Sequence, residues 1–203
     1  MLFDMGNREA LLEGAKRCLL EKGYSRTTAR DIADAAGVSL AAIGYHYGSK
    51  ESLLEQAFMA AMEDWFDDEK QEPGEEPGEE SREEPAGGSI EQFRAFFADV
   101  IATFPAQKPL MRLNLEMGLE AEHNPALATF MSYAVQLGRE GLAENLGGLD
   151  PKRDGELAQQ VGAFYSVLMT GIVAQYLADR ERFPSAEDLA AGLRYVAERA
   201  HNA

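Results

Sequence analysis

Apolar residues in this chain recur at intervals of three and four, and they do not alternate with polar ones over the length of a strand. Such a chain buries its side chains along helical stripes, so the predicted fold is all-α. Leu11, Leu12, Ala15, Cys18 and Leu19 mark a first helix over about residues 8–22, stopped by Gly23. Thr28 opens a second helix, with Asp31 three residues on as a short capping box and Ile32 and Ala36 facing inward. Gly37 ends it, and Ser39 is placed to cap a short third helix over about residues 40–47. Gly48 and Ser49 interrupt again, and a fourth helix begins at Lys50 with Leu54, Ala57, Phe58, Ala61, Met62 and Trp65 on one face.

Composition then changes abruptly. DDEKQEPGEEPGEESREEPAGG, residues 67–88, repeats Glu, Pro and Gly and holds nothing that could form a core. It reads as a solvated acidic loop. Helical periodicity resumes at Ser89 with Ile90, Phe93, Phe97, Val100, Ile101 and Phe104. Pro105 and Pro109 bracket an expected turn, and a further helix ends at Asn124-Pro125. The next stops at Gly147-Gly148, a long uncharged helix follows from Leu157 to about Arg180, and Ser185 caps the last one, which ends near His201. The count is about nine helices: a small N-terminal group, then a larger bundle.

The net charge of −16 argues against uniform attachment to nucleic acid or anionic membrane, but it is unevenly spread. Residues 1–50 carry seven Lys/Arg and six Asp/Glu, whereas the remaining 153 carry twelve and twenty-nine. Val38 to Lys50 holds no carboxylate at all. A surface cleared of negative charge is what a polyanion requires. The charge step divides the chain at residue 50 into a near-neutral module, 1–50, and an acidic body, 51–203.

The second and third helices are joined by Ala36-Gly37-Val38-Ser39, a tight glycine-containing turn of the helix-turn-helix type. In that arrangement the second of the pair lies in the major groove of DNA. Ser39, Leu40, Ala41, Ala42, Gly44, Tyr45 and His46 fall on or before this helix. Its small and apolar positions suit thymine methyl groups better than hydrogen-bonded readout, so DNA shape and half-site spacing would supply part of the specificity. Thr27, Thr28 and Tyr45 offer hydroxyls to phosphate, and Lys50 offers a charge.

TTARDIADAAGVSLAAIGYHYGSKESLL resembles the N-terminal signature of the TetR family of transcriptional regulators, over roughly residues 8–58. Thr28, the DIA triplet at Asp31 to Ala33, Ala36 to Ser39, the YHY at 45–47 and Ser49-Lys50 fall in family order. The resemblance implies an all-helical homodimer on double-stranded operator DNA. It implies a C-terminal bundle that takes a small molecule, and a dimer interface made by the last two long helices, Leu157–Arg180 and Ser185–His201. Many family members carry tyrosine where this chain has Gly44, and often phenylalanine where it has Tyr47.

The body shows no phosphate-cradling glycine loop, nucleophile elbow or His-Cys cluster, so no enzymatic activity, cofactor or metal is expected. Glu116, Glu120 and His123 share a helix face but read as a solvated one. Phe93, Phe97, Met111, Met117, Phe130, Tyr133, Phe164 and Met169 supply aromatic and thioether lining for a largely apolar effector. Cys18, the single cysteine, reads as a buried hydrophobe. The run from Leu157 to Ala178 is long enough to span a bilayer, but its Gln, Ser and Thr residues point instead to a helix buried on most sides in a core or dimer interface. No secretory signal is read at the start, so a cytoplasmic location is the expectation. The expectation is a ligand-responsive repressor. An activator or effector-independent regulator is the alternative, and a helical binding protein or enzyme is a more distant one.

Overall fold

The computed structural model describes residues 2–68 and 89–201. The expected acidic loop, apart from its first two residues, lies outside them. Among the described residues there are eight helices and no strand: α1 (Leu2–Lys22), α2 (Ala29–Ala36), α3 (Ala41–Tyr47), α4 (Lys50–Asp68), α5 (Ile90–Glu120), α6 (Pro125–Gly147), α7 (Pro151–Ala178) and α8 (Ala186–His201). The all-α expectation holds.

Eight rather than nine helices follow because α5 runs unbroken through Pro105 and Pro109. Each proline removes one backbone donor, so the carbonyls of Ile101 and Pro105 lose their helical partners. The helix survives because buried side chains hold it on both sides of the gap: Val100 and Phe104 before, Leu110, Met111, Leu113 and Met117 after. Two missing hydrogen bonds do not outweigh that much buried apolar surface.

Two compact units emerge, Met1–Glu72 with Gln107–Ser132, and Pro73–Ala106 with Tyr133–Ala203. Their boundary in α5, after Ala106, falls between the two prolines.

In the first unit Leu11, Ala15, Leu19, Ile32, Leu53, Leu54, Phe58, Met117 and Leu127 are excluded from solvent. Cys18 is buried as expected, and burial raises its thiol pKa. Gly14 permits close approach: a Cβ there would lie 3.2 Å from the Ile32 carbonyl oxygen. Gly23 ends α1 at φ 85°, and a Cβ on it would fall 2.5 Å from the Glu116 carboxylate.

The second unit is built on aromatic contacts. Phe93 and Phe97 pack with ring centroids 4.5 Å apart, and Phe104 meets Tyr176 at 5.0 Å. Asp150 caps α7 by accepting from the Lys152 amide at 2.8 Å, with Pro151 in the first turn. α7 thus begins six residues before the expected Leu157, but Gly155 breaks its first turn from the rest with φ 50° and ψ −114°. Ser185 and Asp188 form a reciprocal capping box at α8, with the Asp188 amide donating to the Ser185 hydroxyl at 3.1 Å. Within the single chain α7 is not buried on most sides by its own core: Leu157, Phe164 and Val167 are exposed, which leaves the interface alternative for this helix.

Candidate nucleic-acid interface

The α2–turn–α3 segment is fixed at each joint by local chemistry. Thr28 caps α2: its hydroxyl accepts from the Asp31 amide at 3.1 Å, while the Asp31 carboxylate accepts from the Thr28 amide at 2.9 Å. Lys22, at the end of α1, adds an ion pair to Asp31 at 2.6 Å. The Lys22 hydrogen bond is the largest influence holding the Asp31 carboxyl far below the usual carboxylate range, followed by the Thr28 hydroxyl and amide. At the other end Gly37 adopts φ 67°, its N–H donating to the Asp34 carbonyl at 3.2 Å while Val38 N–H donates to Ala33 at 3.1 Å. That pair of crossed bonds requires a left-handed residue, which glycine supplies without strain.

α3 then presents one face inward and one outward. Ile43 and Tyr47 are buried. The Tyr47 hydroxyl donates to the Arg8 carbonyl at 2.7 Å, and the Arg8 guanidinium lies 5.4 Å from the centre of its ring. Burial raises the Tyr47 phenol pKa, so it stays a donor. Leu40, Ala41, Gly44 and Tyr45 face out, and Tyr45 is 76% exposed. Nothing lies within 4 Å of the position a Gly44 Cβ would take, which confirms that this strip is open. Ala42 and His46 are half-buried, and the His46 ring braces Tyr45 edge-on at 4.9 Å. No acidic side chain belongs to this strip.

Two positions, Thr27 and Ser39, differ from expectation, and Lys50 keeps its charge in a more constrained setting. Thr27 does not offer its hydroxyl to phosphate: it is 1% exposed, and the hydroxyl donates to the Gly23 carbonyl at 2.7 Å with the Cys18 carbonyl at 3.1 Å. Its job is to close the end of α1. Ser39 does not cap α3, whose first position is taken by Leu40 without a side-chain hydrogen bond, so the exposed Ser39 hydroxyl is left for other use. Lys50 does not stand free. Its ammonium donates to the Thr27 carbonyl at 3.4 Å and lies 3.5 Å from Glu51. Ser49 does cap α4, accepting from the Ser52 amide at 3.0 Å. Sequence reasoning passed over Arg26 and Arg30, both exposed, beside the Thr28 cap and in the first turn of α2. Their signal was visible as two cations close in sequence to an N-cap.

The expected effector-lining residues do not gather in one unit. Met111, Met117 and Phe130 belong to the first, where Phe130 meets Phe58 at 6.0 Å. Phe93, Phe97, Tyr133, Phe164 and Met169 belong to the second. Tyr133 and Phe164 are exposed there rather than enclosed. Among the described residues no three His, Cys, Asp or Glu side chains gather as a metal site, Glu116, Glu120 and His123 included.

Comparison with known proteins agrees with this geometry. Residues 11–57 match a family model described as bacterial regulatory proteins, tetR family, and residues 88–199 match one described as tetracyclin repressor-like, C-terminal domain. The HTH-type transcriptional repressor AcnR of Corynebacterium efficiens is 45% identical over 50 residues, which cover 25% of this chain and 27% of that protein. The chain thus matches about a quarter of the length of its first curated relatives. Among solved structures, a TetR-family regulator from Rhodococcus sp. aligns with a TM-score of 0.66 at 16% identity, over 96% of this chain and 97% of that one. The multidrug binding protein EbrR complexed with proflavin aligns at 0.61 and 18% identity, over 93% and 98%. These likenesses show a shared fold.

Proposed function

The chain belongs to the TetR family of bacterial regulatory proteins, and from that premise we propose that it is a ligand-responsive transcriptional repressor acting as a homodimer on a palindromic operator. The observation that carries this reading is the outward strip of α3, which follows a glycine turn, carries no carboxylate and projects Tyr45 into solvent. Placed in a major groove, Leu40 and Ala41 would meet base edges, while Ser39, Tyr45 and Thr28, with Arg26 and Arg30, would meet phosphates. Lys50 contributes charge near the same edge from its place on the Thr27 carbonyl.

Two copies of α3 must reach successive grooves about 34 Å apart. The proposed dimer contact is α7 with α8, where Leu157, Phe164, Val167, Tyr195 and Val196 are exposed in the single chain. Large side chains left open on two helices of one unit are the mark of an unfilled interface. The same exposure accounts for the apolar length of α7 without a membrane, since the helix lies within the matched C-terminal domain. The effector is proposed to be small and largely apolar, held against the aromatic cluster of Phe93, Phe97 and Tyr165. EbrR, which shares the fold, is known in complex with proflavin. Release from DNA then requires the effector to favour a dimer geometry that misfits the operator, by no more than its difference in affinity for the two states.

The experiment is footprinting on DNA flanking the gene, with and without apolar compounds. Protection of a palindrome that one compound abolishes supports the reading. No protection at any protein concentration overturns it.

A further inference from the structure

We propose that a cleft between α6 and α7 binds a small carboxylate-bearing molecule, with the Arg139 guanidinium as its anchor. The cleft encloses about 40 Å³ and is lined by Gln136, Arg139, Glu140, Pro151, Ala158 and Gln159. All six belong to the second unit. Every side chain but Pro151 and Ala158 is polar, so this is a different kind of site from the aromatic cluster assigned to an apolar effector.

Two features of the backbone make the cleft. At Gly162 the helices touch: a Cβ there would fall 2.2 Å from the Arg139 carbonyl oxygen, so only glycine lets α7 lie against α6. At Gly155, seven residues earlier, the non-helical φ and ψ turn the first turn of α7 away from its continuation. The cleft's α7 lining straddles that break, with Pro151 before it and Ala158 and Gln159 after.

The chemistry of the lining points to its ligand. Arg139 Nε is buried and has no hydrogen-bond partner, the one such side-chain atom found among the described residues. The adjacent acid does not serve it, because Glu140 accepts instead from the Gln136 amide at 2.8 Å. A guanidinium stays charged at any physiological pH, and a buried N–H without an acceptor costs free energy until one arrives. A carboxylate matches its planar fork with two parallel bonds. The volume corresponds to about three water-sized occupants, the size of a carboxylate head rather than of a large ligand. Glu140 beside it disfavours a dianion such as phosphate and gives an acceptor to an ammonium next to the carboxylate. The favoured class is therefore a small monocarboxylate, above all an α-amino acid. Failure of this proposal leaves the DNA-binding reading untouched, since no residue of the cleft belongs to α1–α4.

The test uses the full chain with acetate, glycine and inorganic phosphate as probes. Binding is followed by calorimetry and by the Arg139 side-chain N–H resonance. The expected result is saturable millimolar binding of glycine or acetate that moves that resonance, with phosphate at least tenfold weaker. Arg139→Gln should abolish it, and Arg139→Lys, which keeps the charge but loses the fork, should weaken it about tenfold. Gln159→Ala, at an exposed position, should weaken it while leaving helicity unchanged, which guards against a folding defect in the Arg139 variants. No binding of either carboxylate, equal binding of phosphate, or binding that survives Arg139→Gln in a folded protein would each overturn the proposal.

Discussion

The Thr27 hydroxyl donates to the Gly23 carbonyl oxygen at 2.7 Å, inside a junction only 1% exposed at Thr27. A residue read from sequence as a phosphate donor instead ties the end of α1 to the start of α2. Thr27→Val should therefore lower stability by about 1 kcal/mol, the usual net value of such a bond. Denaturant unfolding would show a lower midpoint at unchanged slope, while DNA affinity of the folded variant keeps its salt dependence. A loss of affinity without a loss of stability would return Thr27 to the interface.

Tyr45 behaves in the opposite way. It is 76% exposed, so Tyr45→Ala should leave the unfolding free energy within about 0.5 kcal/mol of the wild type. Operator affinity should fall about tenfold, and Tyr45→Phe should recover part of it if ring contact matters as well as the hydroxyl. Ala41→Glu, on the same strip, should abolish binding by setting a carboxylate into the groove, against the acceptor-rich base edges and between the flanking phosphates. Anisotropy titrations read all three.

Two carboxylates give pH dependences of opposite sign. The Asp31 pKa is depressed, chiefly by Lys22, so its stabilisation is complete above the unfolded value near 3.9 and is lost as pH falls through the folded one. Asp31→Asn should destabilise at pH 7, and the difference should shrink below pH 4. Glu55 is raised, by burial first and by Glu51 second. Its ionised form disfavours the fold at neutral pH, and stability is regained as pH falls through the folded pKa towards the unfolded value near 4.3. Glu55→Gln should raise the melting temperature at pH 7 and change little below pH 4.

The α6–α7 crossing predicts a contrast between two glycines of one helix. Gly162→Ala would set a methyl 2.2 Å from the rigid Arg139 carbonyl and should cost about 1–3 kcal/mol. Gly171→Ala meets nothing within 4 Å and should stabilise α7 by up to about 1 kcal/mol. Equal effects at the two sites would contradict the close packing of these helices.

What could be read from the sequence was what neighbouring residues decide among themselves. The Thr28–Asp31 and Ser185–Asp188 capping boxes, the Gly37 turn and the inward positions Ile32, Ile43 and Phe58 are all set within a few residues. What could not be read depends on residues distant in the chain or on the strength of packing. Thr27 looked available because its acceptors, Gly23 and Cys18, come together only once α1 ends in a left-handed glycine. Pro105 and Pro109 looked like a turn because the side chains that hold α5 straight through them act at longer range. Arg139 gave no signal at all: its unpartnered nitrogen exists only where α6 meets α7.

The most direct measurement is operator affinity as a function of salt, for the wild type and for Ala41→Glu. If α3 reads DNA, the wild type binds a palindrome tightly, its log affinity falls steeply and linearly with log salt, and the variant shows no specific binding. Affinity that is insensitive to salt, or a variant that binds like the wild type, would show that α3 is not the surface that reads DNA.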